Sequence, residues 1–385
     1  VNEQTNAMGA LFLDVDLDGD QDLYLIHDGQ TYIFYENNGN GSFTDRSAES
    51  GLNYTGFGMG VAAGDINRDG YPDIYVTNLY ENNLFLNNGD GSFTDIASLA
   101  GVADYGMGWG VSFIDYDNDG WEDIYIANDS WFSPYPNVLY RNNGDLTFET
   151  VALSGPVADM QGSYGTAVVD ANRDGFGDIA VANSGSGDNF QLFLNQTNEN
   201  RFIGLVLQGK ESNRMAVGTR LRGKDSSGNW HSSEVRAGSG FASQSSSKQI
   251  WGLGEATELD SLWVFWPSGK NDLHTRLVSE VHYLIVEGEP ARVEETLSVG
   301  TRTLIDRDIF RVFPNPVSDQ LNLWVSNSAI GAVEWSIFDL FGRLFARKTL
   351  NGNAISLDVS TLPKGVYMLH GHSDHFSQSL KFVKD

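Results

Sequence analysis

The sequence lacks cysteine altogether and holds only nine prolines in 385 residues. Disulfides, thiolate metal sites and thiol nucleophiles are therefore excluded. No run of about 18 apolar residues occurs, which excludes a helix that spans a membrane. The chain starts at Val1 without a basic or apolar leader segment. We therefore expect a mature product or a fragment, with any signal peptide outside this sequence.

Basic residues are scarce in the first half of the chain. Residues 1–200 contain 31 Asp or Glu against four Arg and no Lys, and this imbalance equals the formal net charge of −27 of the whole chain. Such a charge repels nucleic acid and anionic membrane surfaces, so we expect neither as a partner. Acidic groups at this density need counter-ions close to them.

The same pattern occurs four times in the first 200 residues. Each copy has a Met or aromatic residue, a Gly, four mostly small or apolar residues, a nine-residue acidic loop and a β-rich run. The loops begin at Asp14, Asp65, Asp115 and Asp170, so the repeats are about 50 residues long. A second apolar run, an Asn-Asn-Gly turn and a short strand complete the first three copies. Four short strands per repeat predict an all-β fold built from β-propeller blades.

The acidic loops have the ligand pattern of a calcium site. Positions 1, 3, 5 and 9 carry Asp or Asn in all four loops, position 6 is Gly, and position 7 offers its backbone carbonyl. Ca²⁺ takes six to eight oxygen ligands, which a short loop supplies by turning alternate side chains inward. We predict about four Ca²⁺ ions, held by Asp14, Asp16, Asp18, Asp20 and Asp22; by Asp65, Asn67, Asp69, Tyr71 and Asp73; by Asp115, Asp117, Asp119, Trp121 and Asp123; and by Asp170, Asn172, Asp174, Phe176 and Asp178.

Other interpretations of the loops are weaker. An EF-hand needs a bidentate Glu at position 12, where these loops have Leu25, Val76, Ile126 and Val181. Asp, Asn and Gly also favour ordinary turns, but an oxygen ligand at all sixteen side-chain positions favours a metal. Mg²⁺ suits the pattern less because it demands a small octahedral site.

On these residues the repeats resemble FG-GAP/VCBS-type blades, the calcium-loop propeller repeats also seen in integrin α-chains. The resemblance implies that each loop joins the first two strands of a blade and that the ion stabilises the rim of the blade. Complete propellers of this kind usually have seven blades. We therefore expect the four visible blades to be part of a larger propeller.

Residues 201–289 form a small β domain without the acidic repeat. The domain resembles the ASPIC/UnbV domain of cartilage-acidic-protein-like chains, through Val217-Gly218-Thr219-Arg220, Gly238-Ser239-Gly240-Phe241 and Trp251-Gly252-Leu253-Gly254. No Gly-x-Ser-x-Gly elbow or acid–base pair is readable, so we predict no catalytic residue. Two interpretations stay open for one polar set, a buried network that fixes strands (favoured) or a patch that binds sugars or carboxylates: Asn213, Arg214, Arg220, Arg236 and Gln244.

The C-terminal region predicts a β-sandwich over residues 309–385, after a linker at 290–308. Its motifs Phe313-Pro314-Asn315-Pro316 and Leu362-Pro363-Lys364-Gly365-Val366-Tyr367 resemble the type A sorting domain of the Bacteroidota type IX secretion system. The resemblance implies a precursor with a signal peptide, export to the cell surface or the medium, and the type IX machinery as a partner of residues 309–385.

These features together predict a secreted or cell-surface calcium-binding β-propeller that acts as an adhesion or ligand-binding module for an extracellular protein or glycan. The expected binding face consists of aromatic loop residues: Tyr54, Phe57, Tyr105, Trp109, Trp131, Phe132, Tyr135 and Tyr164. The alternative is a polysaccharide-active enzyme, a lyase or a glycosidase, on a calcium-stabilised propeller. A glycosidase needs two carboxylates at a defined separation, and nearly every Asp of the blades is already assigned to a loop. We therefore expect no enzyme.

Overall fold

The computed structural model describes residues 6–130, 135–151, 162–184, 190–294, 310–325, 333–339, 343–350, 354–373 and 376–385. The fold is almost entirely β, with 55% strand. The chain divides into two compact units, Val1–Glu294 and Glu295–Asp385. No helix among the described residues is long and apolar enough to cross a membrane.

The repeats fold into small antiparallel sheets, as predicted for blades. The first three blades have four strands each, the first two blades being joined in one eight-stranded sheet, and the fourth blade has three strands among the described residues. The strands are β1 (Ala7–Leu13), β2 (Asp22–Thr31), β3 (Ile33–Asn37) and β4 (Phe43–Asp45); β5 (Thr55–Gly64), β6 (Asp73–Asn78), β7 (Asn83–Asn87) and β8 (Phe93–Asp95); β9 (Gly108–Ile114), β10 (Asp123–Asn128), β11 (Val138–Asn142) and β12 (Phe148–Thr150); and β13 (Gly162–Val169), β14 (Asp178–Ser184) and β15 (Gln191–Phe193).

Successive blades pack through their first strands. Strands β1, β5, β9 and β13 lie side by side in that order, and β2 also pairs with β5, which joins the first two blades into one sheet. Short helices, α1 (Ser47–Ser50) and α2 (Ala97–Ala100), lead from one blade to the next. Fully buried aromatic residues such as Tyr24, Tyr75 and Phe85 fill the space between blades. The prediction of a propeller-like all-β fold is confirmed.

Residues 201–294, the second domain of the first compact unit, form two four-stranded sheets. One sheet has the order β19-β16-β22-β23 and the other β18-β17-β20-β21. Their strands are β16 (Arg201–Gln208), β17 (Arg220–Asp225), β18 (Trp230–Glu234), β19 (Gln249–Gly254), β20 (Glu258–Phe265), β21 (Asn271–Val278), β22 (Val281–Val286) and β23 (Arg292–Val293). Apolar side chains on alternating positions, including Leu205, Leu262 and Ile285, form one core between them. Of the predicted linker, residues 290–294 therefore belong to this unit.

The second unit has the two sheets of a β-sandwich. Strands β24 (Phe310–Phe313), β25 (Gln320–Val325) and β28 (Ala354–Asp358) form one sheet, in the order β24-β25-β28. Strands β26 (Val333–Asp339), β27 (Leu344–Leu350), β29 (Gly365–Ser373) and β30 (Phe376–Lys384) form the other, in the order β27-β26-β29-β30. Trp335, Leu369 and Phe382 are buried between the two sheets. Residues 295–309, which include most of the predicted linker, lie outside the described residues.

Candidate metal centres

Each acidic loop joins the first two strands of its blade. Leu13 pairs with Asp22 across the first loop, and Gly64 pairs with Asp73 across the second. The third and fourth loops have the same register, with Ile114 opposite Asp123 and Val169 opposite Asp178. Position 1 of every loop therefore follows the last residue of one strand, and position 9 is the first residue of the next.

The loop backbone has the same conformation in all four blades. Position 4 has a positive φ of 55° to 64° in each loop, and Gly at position 6 has a φ of 86° to 100°. The N–H of position 5 donates to the side-chain oxygen of position 3, and the N–H of position 7 donates to that of position 5. Gly is required at position 6 because a side chain would strain this conformation. The four loops therefore share one backbone turn, stabilised by the side chains of positions 3 and 5.

The position-9 aspartates fix the base of each loop. Asp73, for example, accepts the N–H of Ile66 at 3.0 Å and that of Asn87 at 2.8 Å, one on each carboxylate oxygen. Asp22, Asp123 and Asp178 make the equivalent pair of hydrogen bonds. Each position-9 carboxylate therefore ties its loop to the turn between the third and fourth strands, or to the corresponding residues of the fourth blade.

Three of the four position-1 aspartates leave one oxygen without a protein partner, whereas both oxygens of Asp65 accept hydrogen bonds. Oδ1 of Asp14, Asp115 and Asp170 is buried and accepts no hydrogen bond, while Oδ2 of Asp14 and Asp115 accepts the N–H of the loop glycine. A buried carboxylate oxygen without a partner costs free energy unless a cation or a donor satisfies it. These orphaned oxygens therefore fit a bound metal ion.

Burial raises the pKa of the carboxyls of Asp14, Asp22 and Asp65. Desolvation raises the pKa of Asp14 to about 6, although Arg220 nearby lowers it. Desolvation likewise raises the pKa of Asp22 to about 7 and that of Asp65 to about 6. A divalent cation among these groups would favour their charged forms and reverse these shifts.

Carboxylate oxygens converge in the two loops that have Asp at position 3. One oxygen each from Asp14, Asp16 and Asp18 lie within 4.8 Å of one another, and the same holds for Asp115, Asp117 and Asp123. In the second and fourth loops position 3 is Asn, whose Nδ2 donates to the position-5 carboxylate at 2.8 Å and 2.7 Å. Three of the predicted side-chain ligands thus converge in the first loop and three in the third, and the four loops differ in charge because position 3 is Asp in two of them and Asn in the other two.

Position 7 of the loops varies in its side chain, as expected for a residue that offers only its carbonyl. Phe176 is buried, and the ring of Trp121 lies 3.8 Å below the guanidinium of Arg68. The two remaining residues at this position are Asp20 and Tyr71.

An asparagine side chain links each blade to the loop of the blade before it. Nδ2 of Asn87, the first Asn of its turn, donates to the carbonyl of Val15 at 2.9 Å. Asn142 donates to Ile66 at 2.9 Å, and Asn195 donates to Tyr116 at 2.7 Å. The sequence pattern indicated only the turn-forming role of Asn-Asn-Gly. The equivalence of Asn195, which lacks that turn motif, emerges only from the folded blades.

The domain after the blades contacts the position-1 aspartates directly. Arg220 Nε lies 3.0 Å from Asp14 Oδ2, and Lys248 Nζ lies 3.0 Å from Asp170 Oδ2. The hydroxyl of Ser232 donates to Asp65 Oδ2. At the third loop Gly252 approaches so closely that a Cβ there would collide with the carboxylate of Asp115.

The polar set of the second domain forms a structural network in part. Arg220 pairs with Asp14, and Arg236 pairs with Glu234 and donates to the carbonyl of Ala63. Asn213 hydrogen-bonds Val217 within its own turn, while Arg214 and Gln244 are exposed. These residues do not converge on one patch.

A cavity of about 420 Å³ lies between the blades and the second domain. Its wall includes all four position-1 aspartates, Glu122, Arg236 and Lys248. Desolvation raises the pKa of Glu122 to about 7, although the N–H of Asp65 donates to this carboxyl. Glu122 stands next to the regular position-9 Asp in the sequence, and no local signal marks it as an interior residue.

The predicted aromatic face is divided in the structure. Phe57 and Tyr80 are 43% and 69% exposed and form an edge-to-face pair, with ring centroids 6.2 Å apart. Tyr105 is also 69% exposed. These residues lie at the strand ends opposite the acidic loops. By contrast, Trp109 packs on Tyr164 and Phe241, Tyr54 packs on Tyr32, Tyr135 is half-buried, and Trp131 and Phe132 lie outside the described residues.

Three family models match the chain. The FG-GAP-like repeat matches residues 14–76, 71–126 and 115–181, the ASPIC and UnbV model matches 209–292, and the secretion system C-terminal sorting domain matches 311–385. All three predicted resemblances are confirmed.

Comparisons with individual proteins add little. No curated protein matches the chain. Among solved structures, an Agrocybe aegerita lectin described as recognising non-reducing terminal N-acetylglucosamine is 16% identical, with a TM-score of 0.32, over 92% of this chain and 85% of that one. The extracellular domain of a one-component system from B. thetaiotaomicron is 9% identical, with a TM-score of 0.27, over 98% of this chain and 57% of that one. These scores are too low to transfer a fold or a ligand.

Proposed function

We propose that this secreted or cell-surface chain, which combines FG-GAP-like repeats, an ASPIC/UnbV domain and a type IX secretion sorting domain, is a calcium-stabilised ligand-binding module. The sorting domain indicates export and the type IX machinery as a partner. The observation that carries the calcium assignment is the set of buried Oδ1 atoms of Asp14, Asp115 and Asp170, which have no partner within the protein.

The proposed role of the ion is structural. At ten times its dissociation constant an ion adds about 1.4 kcal/mol to the free energy of unfolding, so four ions would add about 5–6 kcal/mol. This sum is comparable to the whole stability of a typical domain. No disulfide contributes to the stability of this cysteine-free chain.

Chelation tests the calcium assignment. We expect the melting temperature of the full chain to fall substantially after dialysis against EDTA, and to return on addition of CaCl₂. Addition of MgCl₂ serves as the control, and we expect it to restore much less because Mg²⁺ demands a tighter octahedral site. An EDTA-treated protein with an unchanged melting temperature would contradict the assignment.

The proposed binding surface is the aromatic edge opposite the acidic loops. Phe57 and Tyr80 form a pair of exposed rings, and the exposed carboxylate Glu81 follows Tyr80 in the chain. Exposed rings with polar neighbours suit carbohydrate and protein surfaces, because a ring offers apolar area and its neighbours offer hydrogen bonds. The ligand that we propose is an extracellular glycan or protein.

A glycan array with the Phe57→Ala/Tyr80→Ala variant tests this surface. We expect the variant to lose at least about tenfold in affinity for whichever glycan the native chain binds, as hot-spot aromatics typically do. The matched control is Phe12→Ala, because Phe12 is also aromatic and 51% exposed but lies at the other end of its blade. Equal binding by both variants would refute the surface. Release of an unsaturated or hydrolysed product from the same glycans would establish the enzymatic alternative instead.

A further inference from the structure

The third acidic loop differs from the others in that an arginine contacts its carboxylates at positions 3 and 5. Arg141 lies on β11, and its guanidinium donates to two carboxylates of the loop at once. Nε lies 2.8 Å from Asp117 Oδ2, and Nη2 lies 2.7 Å from Asp119 Oδ2. Asp117 and Asp119 occupy positions 3 and 5, so the arginine bridges two of the four side chains that would hold a metal ion.

The remaining oxygens of these two carboxylates already have donors. Asp117 Oδ1 accepts the N–H of Asp119 at 3.3 Å, and Asp119 Oδ1 accepts the N–H of Trp121 at 2.9 Å. In the first loop, Oδ1 of Asp16 and of Asp18 accept the equivalent backbone N–H groups, those of positions 5 and 7. Within the described residues, however, no basic side chain contacts Oδ2 of Asp16 or Asp18.

The position of Arg141 is specific to the third blade. Arg141 immediately precedes Asn142, the asparagine that links the third blade to the loop of the second blade. The residues that precede Asn37, Asn87 and Asn195 in the other blades are Glu36, Leu86 and Leu194. Glu36 and the two leucines cannot bridge two carboxylates, so this strand position supplies no such bridge in the other three blades. The basic groups that contact the first and fourth loops, Arg220 and Lys248, lie at position 1 instead.

A second guanidinium adds to the positive charge near the third loop. Arg68, at position 4 of the second loop, donates to the carbonyls of Gly120 at 2.9 Å and Asp119 at 3.0 Å. Desolvation and the carboxylates of Asp119 and Asp117 raise the pKa of Asp115, and the charge of Arg68 opposes this rise. Two fixed cations thus partly neutralise the four aspartates of this loop.

We propose that Arg141 is a built-in counter-cation of the third loop, and that this loop binds calcium at least about tenfold more weakly than the other three. The inference rests on the proposed calcium function. A divalent ion at positions 3 and 5 must displace the guanidinium or bind beside it, and a unit charge about 4 Å away opposes its entry. In the absence of calcium Arg141 holds the third loop in its folded conformation.

Calcium titration of the full chain tests the proposal. Isothermal titration calorimetry on EDTA-stripped protein should resolve three tight ions and one weak ion. In Arg141→Leu, which installs the residue found at this position in the second and fourth blades, the fourth ion should bind at least about tenfold more tightly. The matched control is Arg46→Leu, because Arg46 pairs with Glu36 in the first blade and contacts no proposed ligand.

Terbium luminescence provides a readout specific to the third loop. Trp121, at position 7, is the sole tryptophan within the four loops, and it can sensitise a Tb³⁺ ion bound beside it. The part of the tryptophan-excited luminescence that Trp121→Phe removes should appear only after the other loops are filled, and at lower Tb³⁺ in Arg141→Leu. Arg141→Lys should behave in an intermediate way, because a lysine keeps the charge but cannot bridge two carboxylates.

The outcomes separate the two proposals. Four equal sites in the native chain would overturn the role of Arg141 and leave the calcium assignment intact. Three tight sites that stay three in a folded Arg141→Leu variant would also overturn it. An absence of calcium binding in every variant would refute the calcium assignment and this inference with it.

Discussion

Substitution of Asn142 tests whether the link between blades stabilises the fold independently of metal. The side chain is almost fully buried. Its Nδ2 donates to the carbonyls of Ile66 at 2.9 Å and Glu122 at 3.1 Å, and its Oδ1 accepts the N–H of Gly144 at 2.9 Å. Asn142→Ala removes three hydrogen bonds and leaves their main-chain partners without the side chain.

The structure gives a magnitude for this loss. Each hydrogen bond contributes about 0.5–1.5 kcal/mol, so three predict a loss of about 1.5–4.5 kcal/mol in the free energy of unfolding. For a unit of this size the melting temperature falls by roughly 2–4 °C per kcal/mol. We therefore expect Asn142→Ala to melt roughly 3–18 °C below the native chain. The isosteric Asn142→Asp should destabilise the chain at least as much, because a carboxylate oxygen replaces Nδ2. This oxygen cannot donate to the carbonyls of Ile66 and Glu122 and is repelled by them.

Differential scanning calorimetry in EDTA and in CaCl₂ measures the effect. The matched control is Asn143→Ala in the same turn, because Asn143 is exposed and its Nδ2 donates only to the exposed Thr147 hydroxyl. We expect the control to change the melting temperature by less than about 2 °C. If Asn142→Asp is as stable as the native chain in either buffer, the reasoning from the inter-blade hydrogen bond is refuted.

Two further substitutions test the second domain. Gly252→Ala should lower the free energy of unfolding by about 1–3 kcal/mol, because the added Cβ would collide with the Asp115 carboxylate. A urea titration measures this change, and an unchanged midpoint would contradict the close packing at Gly252. The second substitution is at Glu287, whose carboxylate accepts hydrogen bonds from the N–H groups of Lys210 and Ser212 and from the hydroxyl of Ser268. Desolvation raises the pKa of Glu287, but these hydrogen bonds outweigh it and lower the pKa to about 2. The ionised carboxylate of Glu287 therefore contributes fully to the free energy of unfolding above about pH 4.5, and this contribution is lost as the pH falls towards 2. Glu287→Gln should lower the free energy of unfolding at pH 7, and that of the variant should fall less than that of the native chain in a pH series.

Local spacing was sufficient to predict the loops and their place in the blades. Position 1 follows an apolar strand and position 9 begins the next one, as in the pairing of Leu13 with Asp22. The strand period and the requirement for Gly at position 6 are properties of a short segment, so a single sequence shows them. The same reasoning predicted two β domains after the blades, because alternating apolar runs are also local.

Contacts between distant segments could not be predicted in this way. Arg220 and Lys248 pair with Asp14 and Asp170 from strands far along the chain, and nothing in either segment indicates its partner. Among the side-chain ligands, the sequence distinguishes the four loops only by Asp or Asn at position 3. The further difference that we propose for the third loop depends on Arg141, which the strand pattern shows only as one polar residue on β11.

The position-1 aspartates explain how a chain without disulfides can fix a domain against its blades. The Oδ2 oxygens of Asp14 and Asp170 face a basic group of the second domain, and their Oδ1 oxygens are buried without a partner. A cation bound at Oδ1 would share its carboxylate with Arg220 or Lys248, and so would hold the loop in the position that the second domain contacts. Removal of the cation would leave a desolvated carboxylate with one partner, which weakens the loop and the contact together. With a cation bound, the free energy of metal binding and that of domain packing would therefore be linked through the same side chains. The second domain contacts the blades at several loops rather than through one covalent bond.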